Sequence, residues 1–178
     1  MHVITTCGQS NFDYVKSLGA DAVFDSRSPT VGADIRAYTQ DKLYYAWDCI
    51  GEHGSPQAIQ EALASSAPEG QIIRHGTIAM KPGEKQHRDD ATFTWSVAYT
   101  AGGKPVELGQ FVLPAQPDHY AFAVKWLALV EKLYSEGKIK MHRADVREGG
   151  LEGVLSGLDD MRNGRVSGVK LVYRVAGP

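Results

Sequence analysis

The sequence has 19 glycines among 178 residues and yet contains no G-x-G triplet. No G-x-G-x-x-G turn, whose backbone N–H groups receive the pyrophosphate of a dinucleotide, is therefore present anywhere in it. G-x-S-x-G, H-E-x-x-H and C-x-x-C are absent too, which excludes a nucleophile-elbow hydrolase, a zincin and a dithiol centre. The six histidines (His2, His53, His75, His87, His119, His142) fall at no metal-ligand spacing, so no metal site is expected. Cysteine is scarce. Cys7 and Cys49 both lie in predicted strands and read as buried, reduced thiols of a cytosolic protein. No apolar run approaches the length of a membrane span, and MHVITTCGQ is too short and polar for a signal peptide. A net charge of -2 argues against nucleic acid or an anionic membrane as the main partner.

What is there is alternation. An apolar strand, His2–Cys7, leads to a helix started by Ser10 or Asn11, with Phe12, Val15 and Leu18 on its apolar face and Gly19 closing it. Asp21–Asp25 is a second strand, and a weaker helix surrounds Ile35. Leu43–Ile50 (LYYAWDCI) is a third strand, and Ser55-Pro56 opens a helix with Ile59 and Leu63 inward. QIIRH (71–75) follows as another strand. Strands alternating with helices imply an open, mostly parallel sheet with right-handed crossovers.

The second half is less regular. Residues 79–90 (AMKPGEKQHRDD) read as a polar loop, TFTWSVAYTAGGKP as an aromatic segment ending in a turn, and QFVLP as a strand. Asp118 is positioned to cap a long helix with Phe122, Trp126, Leu127, Val130, Leu133 and Tyr134 at helical spacing. A shorter helix carries Leu151, Val154, Leu155, Leu158 and Met161, and VKLVYRV closes the chain as a strand. Neither an internal repeat nor a low-complexity linker interrupts it, so a single domain over 1–178 is expected.

Three separated blocks then carry a resemblance: TTC…NFDYVKSLGADAVFD, AYTAGGKP and GGLEGVLSGLDDMRNGRVSGVKLVYRV. In order and spacing they resemble the medium-chain dehydrogenase/reductase superfamily, and within it the trans-acting enoyl reductases that partner fungal polyketide synthases. The resemblance runs from about residue 3 to residue 175. It implies an α/β, Rossmann-like, doubly wound, mostly parallel sheet with helices on both faces. It covers only the second part of such an enzyme, so the expected fold is truncated, without the GroES-like catalytic domain and the first Rossmann strand. Residues 140–178 correspond to the segment that packs on that catalytic domain in the family.

The resemblance also implies where NADPH would sit. Thr6, Ser10 and Asn11 match cofactor-side positions, but Gly8-Gln9 stands where the family has Ser-Pro at the 2′-phosphate, and Ser26 stands where it often has Tyr near the adenine. Thr6, Ser10 and Asn11 have a second reading as a turn and a helix cap. With the glycine turn lacking as well, no cofactor is expected, and NADPH enters only if the chain is an enoyl reductase.

Open α/β sheets place their sites at the C-terminal ends of strands. His75 and Asp48 end two strands and are the candidate proton-transfer groups; Glu52, His53, Trp95, Tyr99 and Lys104 are the candidate substrate contacts. Each has a plainer reading: His75 a solvated rim residue, Asp48 the cap of its turn, Trp95 and Tyr99 core or interface, Lys104 a solvated turn residue. Three functions stay open. One is a redox-neutral cyclase or isomerase acting on a polyketide-derived small molecule. Another is an NADPH-dependent enoyl reductase fragment. The third is a non-catalytic binding module for a polyketide synthase. In each case a cytoplasmic homodimer is expected, because an apolar stripe (Leu151–Met161) and a strand (Lys170–Val175) need cover. His2–Cys7 is expected to pair with Leu43–Ile50, or another strand to fill the gap between them.

Overall fold

The computed structural model describes residues 1–78 and 88–175. They fall into two compact units, residues 24–129 and residues 1–23 with 130–178.

Residues 24–129 contain the larger sheet. Strands β3 (Tyr45–Asp48), β4 (Arg74–Thr77) and β5 (Thr92–Trp95) are parallel and adjacent in that order. Ala46 lies opposite His75 and Asp48 opposite Thr77; on the next strand, His75 faces Phe93 and Thr77 faces Trp95. Opposed residues share a face and alternate residues change face. One face therefore carries Asp48, His75, Thr77 and Trp95, and the other Tyr45, Trp47, Gly76 and Thr94. The first face is the buried one: Asp48, His75 and Thr77 are at most 3% exposed, whereas Tyr45 and Trp47 are exposed.

Two helices, α2 (Val31–Tyr38) and α3 (Ser55–Ala62), pack against each other. Gly32 permits the approach, since a Cβ there would meet the Ala58 carbonyl and the Glu61 Cβ at 2.6 Å. Val31 and Ile35, Leu63 and Ala64, Ile73 and Leu113 form the buried apolar core. A hairpin follows: β6 (Val106–Leu108) and β7 (Phe111–Leu113) are antiparallel around Gly109, whose φ of +63° suits a tight turn.

Residues 1–23 and 130–178 hold β1 (Ile4–Cys7), α1 (Phe12–Ser17), β8 (Ala144–Arg147), α5 (Gly150–Arg162) and β9 (Lys170–Tyr173). β8 and β9 are parallel neighbours with α5 as their crossover. Tyr173 lies across two glycines of α5: a Cβ on Gly157 would stand 2.1 Å from its hydroxyl, and one on Gly153 3.0 Å from its ring. Arg147 on β8 bonds Asp160 of α5 at 2.5 Å and Asp145 at 2.9 Å, while Arg165 returns to Asp160 at 2.7 Å and Asp159 at 2.8 Å. The α5 stripe Leu151, Leu155, Leu158 and Met161 is exposed.

The architecture is the α/β, Rossmann-like one expected, with parallel strands joined by helices. Several local expectations change. β1 pairs with β2 (Ala22–Asp25), and β3 pairs with β4 alone among the described residues, so the β1–β3 pairing is not formed. Asp21 fixes the β1–β2 pairing: its carboxylate accepts the Val3 N–H at 2.7 Å while its N–H bonds the Val3 carbonyl at 2.9 Å. The third strand stops at Asp48 and not at Ile50, because its carboxylate takes the next N–H groups. QIIRH starts its strand only at Arg74, since the Gln71 N–H is tied to Pro68 in a turn. No side chain caps α1 or α3; Gly54, with φ +87°, stands before α3. The long helix α4 (Pro117–Ser135) begins at Pro117, which puts Asp118 within its first turn. Cys7 is half-buried and Cys49 exposed, because the chain has already left β3 there. Of the polar loop, residues 79–87 lie outside the described residues.

Candidate functional site

At the C-terminal edge of the three-stranded sheet a row crosses all three strands: Asp48, Thr77, Trp95. His75 sits on the same face one step back, between Ala46 and Phe93, so the structure brings the two proton-transfer candidates onto one face of adjacent strands. His75 is 1% exposed with its ring edge-on to Phe93 at 5.3 Å, so it is a core residue and not a solvated rim residue.

Asp48 is the anchor of the turn after β3. Its Oδ1 accepts the N–H groups of Ile50 and Gly51, both at 2.9 Å, and its Oδ2 accepts the Ser55 hydroxyl at 2.8 Å. Both oxygens are thus engaged in fixing the chain between strand and helix, as the plainer reading of this residue has it. The turn presents Glu52 and His53. His53 has φ +55°, a left-handed conformation that costs a side-chain-bearing residue energy. Its Nε2 is 3.4 Å from Glu52 Oε1, and both side chains face solvent.

The aromatic segment follows β5. Trp95, Tyr99 and Lys104 are exposed, so neither aromatic belongs to the core. A 3₁₀ turn, Ala98–Gly102, carries Tyr99 and the buried Thr100. Thr100 bonds the Val97 carbonyl and His119, both at 2.8 Å. A Cβ on Gly103 (φ +68°) would meet Tyr120 at 2.9 Å, so this turn lies close against the first turn of α4. Sequence reasoning missed Thr77, Thr100 and His119; alternation along RHGT carries the signal for Thr77, and nothing local marks the other two.

The cofactor-side candidates lie in the other unit. Thr6 and Ser10 are exposed, with hydroxyls free to face solvent. Asn11 is committed elsewhere: its amide donates to Ser167 at 2.9 Å, and its oxygen fills the space a Cβ on Gly168 would need. Thr6 and Ser10 are thus the hydroxyls left to meet a phosphate, and no G-x-G turn is present to meet a pyrophosphate. Among the described residues, no group of three His, Cys, Asp or Glu could hold a metal ion, and no helix is long and apolar enough to cross a membrane.

An open groove of about 750 Å³ lies elsewhere, lined by α2, α3 and Arg88, and contains none of the candidates. Three of its charged side chains are engaged. Arg36 bonds the Gln60 carbonyl, Arg88 bonds Asp90 and the Ala64 carbonyl, and Asp41 bonds Ser65. The Ser65 hydrogen bonds hold the Asp41 carboxyl below its usual range. The candidate site stays at the sheet's edge, where open α/β sheets bind their ligands.

Residues 1–105 match the family model described as zinc-binding dehydrogenase. Along almost its whole length the chain is similar to fungal proteins named trans-enoyl reductase. It is 41% identical to ACTTS2 of Alternaria alternata over 98% of this chain and 48% of that protein. It is 38% identical to FSL5 of Gibberella zeae over 97% and 47%. It is 36% identical to apdC of Emericella nidulans over 97% and 51%. The chain spans about half the length of the curated relatives it matches. Among solved structures, the JamJ enoyl reductase superposes with a TM-score of 0.68 at 13% identity, covering 97% of this chain and 47% of that one. The CurF ER cyclopropanase of the curacin A pathway superposes with 0.67 at 16%, over 97% and 47%. At those identities the likeness is one of fold. The dehydrogenase match over more than half of the chain, with the similarity along the chain and the fold, makes this chain a member of the zinc-binding dehydrogenase family, on the medium-chain dehydrogenase/reductase scaffold.

Proposed function

We propose that the chain forms the cofactor-side half of an NADPH-dependent trans-acting enoyl reductase in polyketide biosynthesis. The carrying observation is identity of 34–41% to proteins named trans-enoyl reductase over 95–98% of the chain. Those names support the reductase reading better than the redox-neutral cyclase or isomerase, and they favour NADPH over no cofactor. The substrate class is an α,β-unsaturated acyl thioester, supplied by a polyketide synthase partner in the cytoplasm.

In this reading Trp95 and Tyr99 form an apolar wall for the acyl chain, and exposed Lys104 offers a cation to the thioester oxygen. Glu52 and His53 border the same edge on the turn that Asp48 holds. We therefore give Asp48 a positioning role, with His75 packing behind it. Thr6 and Ser10 would hold the 2′-phosphate of NADPH, which when bound supplies the hydride. The exposed α5 stripe supports self-association as a homodimer.

Incubation of the chain with NADPH and a crotonyl thioester, followed by mass spectrometry, tests the proposal. The expected product is the saturated thioester, formed only when NADPH is present. A product of unchanged mass, formed equally without NADPH, would return the reading to an isomerase or cyclase.

A further inference from the structure

The Thr100–His119 contact fixes a tautomer. A threonine hydroxyl has one proton. The Val97 carbonyl, an acceptor only, lies 2.8 Å from Thr100 Oγ1 and takes that proton. His119 Nδ1, also at 2.8 Å, must then donate its own hydrogen to Oγ1. Thr100 is 5% exposed, so exchanging either bond for water is not open to it. In the neutral ring the lone pair therefore falls on Nε2, on the side away from Thr100. His119 itself is exposed. It stands on the first turn of α4, against the segment that bears Tyr99 and Lys104, as the close approach of Gly103 to Tyr120 shows.

We propose that His119 is a proton-exchanging residue of this site, locked by Thr100 with Nδ1 protonated so that Nε2 meets the α-carbon of a bound acyl thioester. This rests on the placement of the substrate beside Trp95, Tyr99 and Lys104. In the exchange step the Cα–H bond breaks, its electron pair becomes the enolate π bond, and the proton forms a bond to Nε2. The resulting imidazolium keeps its Nδ1–H on Thr100 throughout. The reverse step returns a proton to Cα, the position an enoyl reduction must protonate. No cofactor enters either direction.

Two measurements on the full chain test this. Nitrogen-15 NMR of the imidazole should show Nδ1 of His119 protonated and Nε2 bare in the neutral ring, with Thr100→Val shifting the ring toward the Nε2–H tautomer and Thr100→Ser leaving it unchanged. In D₂O without NADPH, the chain should exchange the α-protons of a butyryl thioester. His119→Asn, which keeps a donor to Thr100 and removes Nε2, should slow that exchange by roughly 100-fold, the lower end of what a positioned acid–base group contributes. A bare Nδ1 overturns the lock. No exchange by the unaltered chain, or equal exchange by His119→Asn, overturns the proton role. Exchange and lock intact, with no reduction when NADPH is added, would sink the reductase reading and leave this inference standing.

Discussion

Two regions of the molecule satisfy their polar groups in different ways. In β8–α5–β9 charged side chains pair with one another. Arg147 meets Asp145 and Asp160, Arg165 meets Asp159 and Asp160, and strand and helix close over Tyr173. At the edge of β3–β4–β5 the polar groups are satisfied by backbone groups together with a hydroxyl and an imidazole instead. Asp48 binds two N–H groups and a hydroxyl, and Thr100 binds a carbonyl and an imidazole. Charge pairing fixes an element against its neighbour. Backbone capture shapes a turn, and turns present side chains. The difference teaches which end of the molecule is built to hold its shape and which to offer groups to a ligand.

The comparison breaks most easily at Gly157. A methyl there would stand 2.1 Å from the Tyr173 hydroxyl, so ring or helix must move. Gly157→Ala should cost about 3 kcal/mol, the upper end for overpacking, read as a lower urea midpoint. Adding Tyr173→Phe should return part of that loss, a non-additivity expected of touching residues. Additive effects would mean that α5 does not rest on Tyr173.

Asp48→Ala is the matching cut at the sheet edge. It removes the acceptor of the Ile50 and Gly51 N–H groups and of the Ser55 hydroxyl, so at least one buried bond is lost, at about 1–3 kcal/mol. Hydrogen exchange at Ile50 and Gly51 should accelerate while β8 and β9 keep their protection. Unchanged exchange would remove Asp48 as the anchor of the turn.

Acid sharpens the contrast. Arg147 first, then Arg165, holds the Asp160 carboxyl below its ordinary 3.8, and its pairing with Asp160 raises Arg147. A depressed carboxylate contributes stability that is complete above the unfolded value and lost as pH falls through the folded one. The urea midpoint should therefore drop as pH falls through and below the ordinary carboxylate range, and Asp160→Asn should flatten that dependence. A variant with an equally steep acid limb would show that the pairing is not what titrates. The smallest effect is chemical. Cys49, exposed beyond β3, should alkylate before half-buried Cys7, with no change in the unfolding midpoint.

How much of this the sequence discloses depends on range. Strand–helix alternation, Gly19 at a helix end and the apolar faces are local periodicities, and all are legible. The start of β4 at Arg74, the existence of β6 and β8, and the β1–β2 pairing turn on hydrogen bonds that no window of residues displays. The site follows the same rule. Asp48, Trp95 and Tyr99 were marked by lying at or beyond strand ends. The role of Asp48 was decided by N–H groups two and three residues on, and Thr100 met His119 across 19 residues.

The central proposal is that ligand chemistry takes place at the C-terminal edge of β3–β4–β5 and not in the groove between α2 and α3. Amide chemical-shift mapping with a crotonyl thioester tests it most directly. Shifts confined to Glu52, His53, Trp95, Tyr99, Lys104 and His119 are the expected result. Shifts centred on Ala33, Arg36, Gln60 and Arg88 would contradict it.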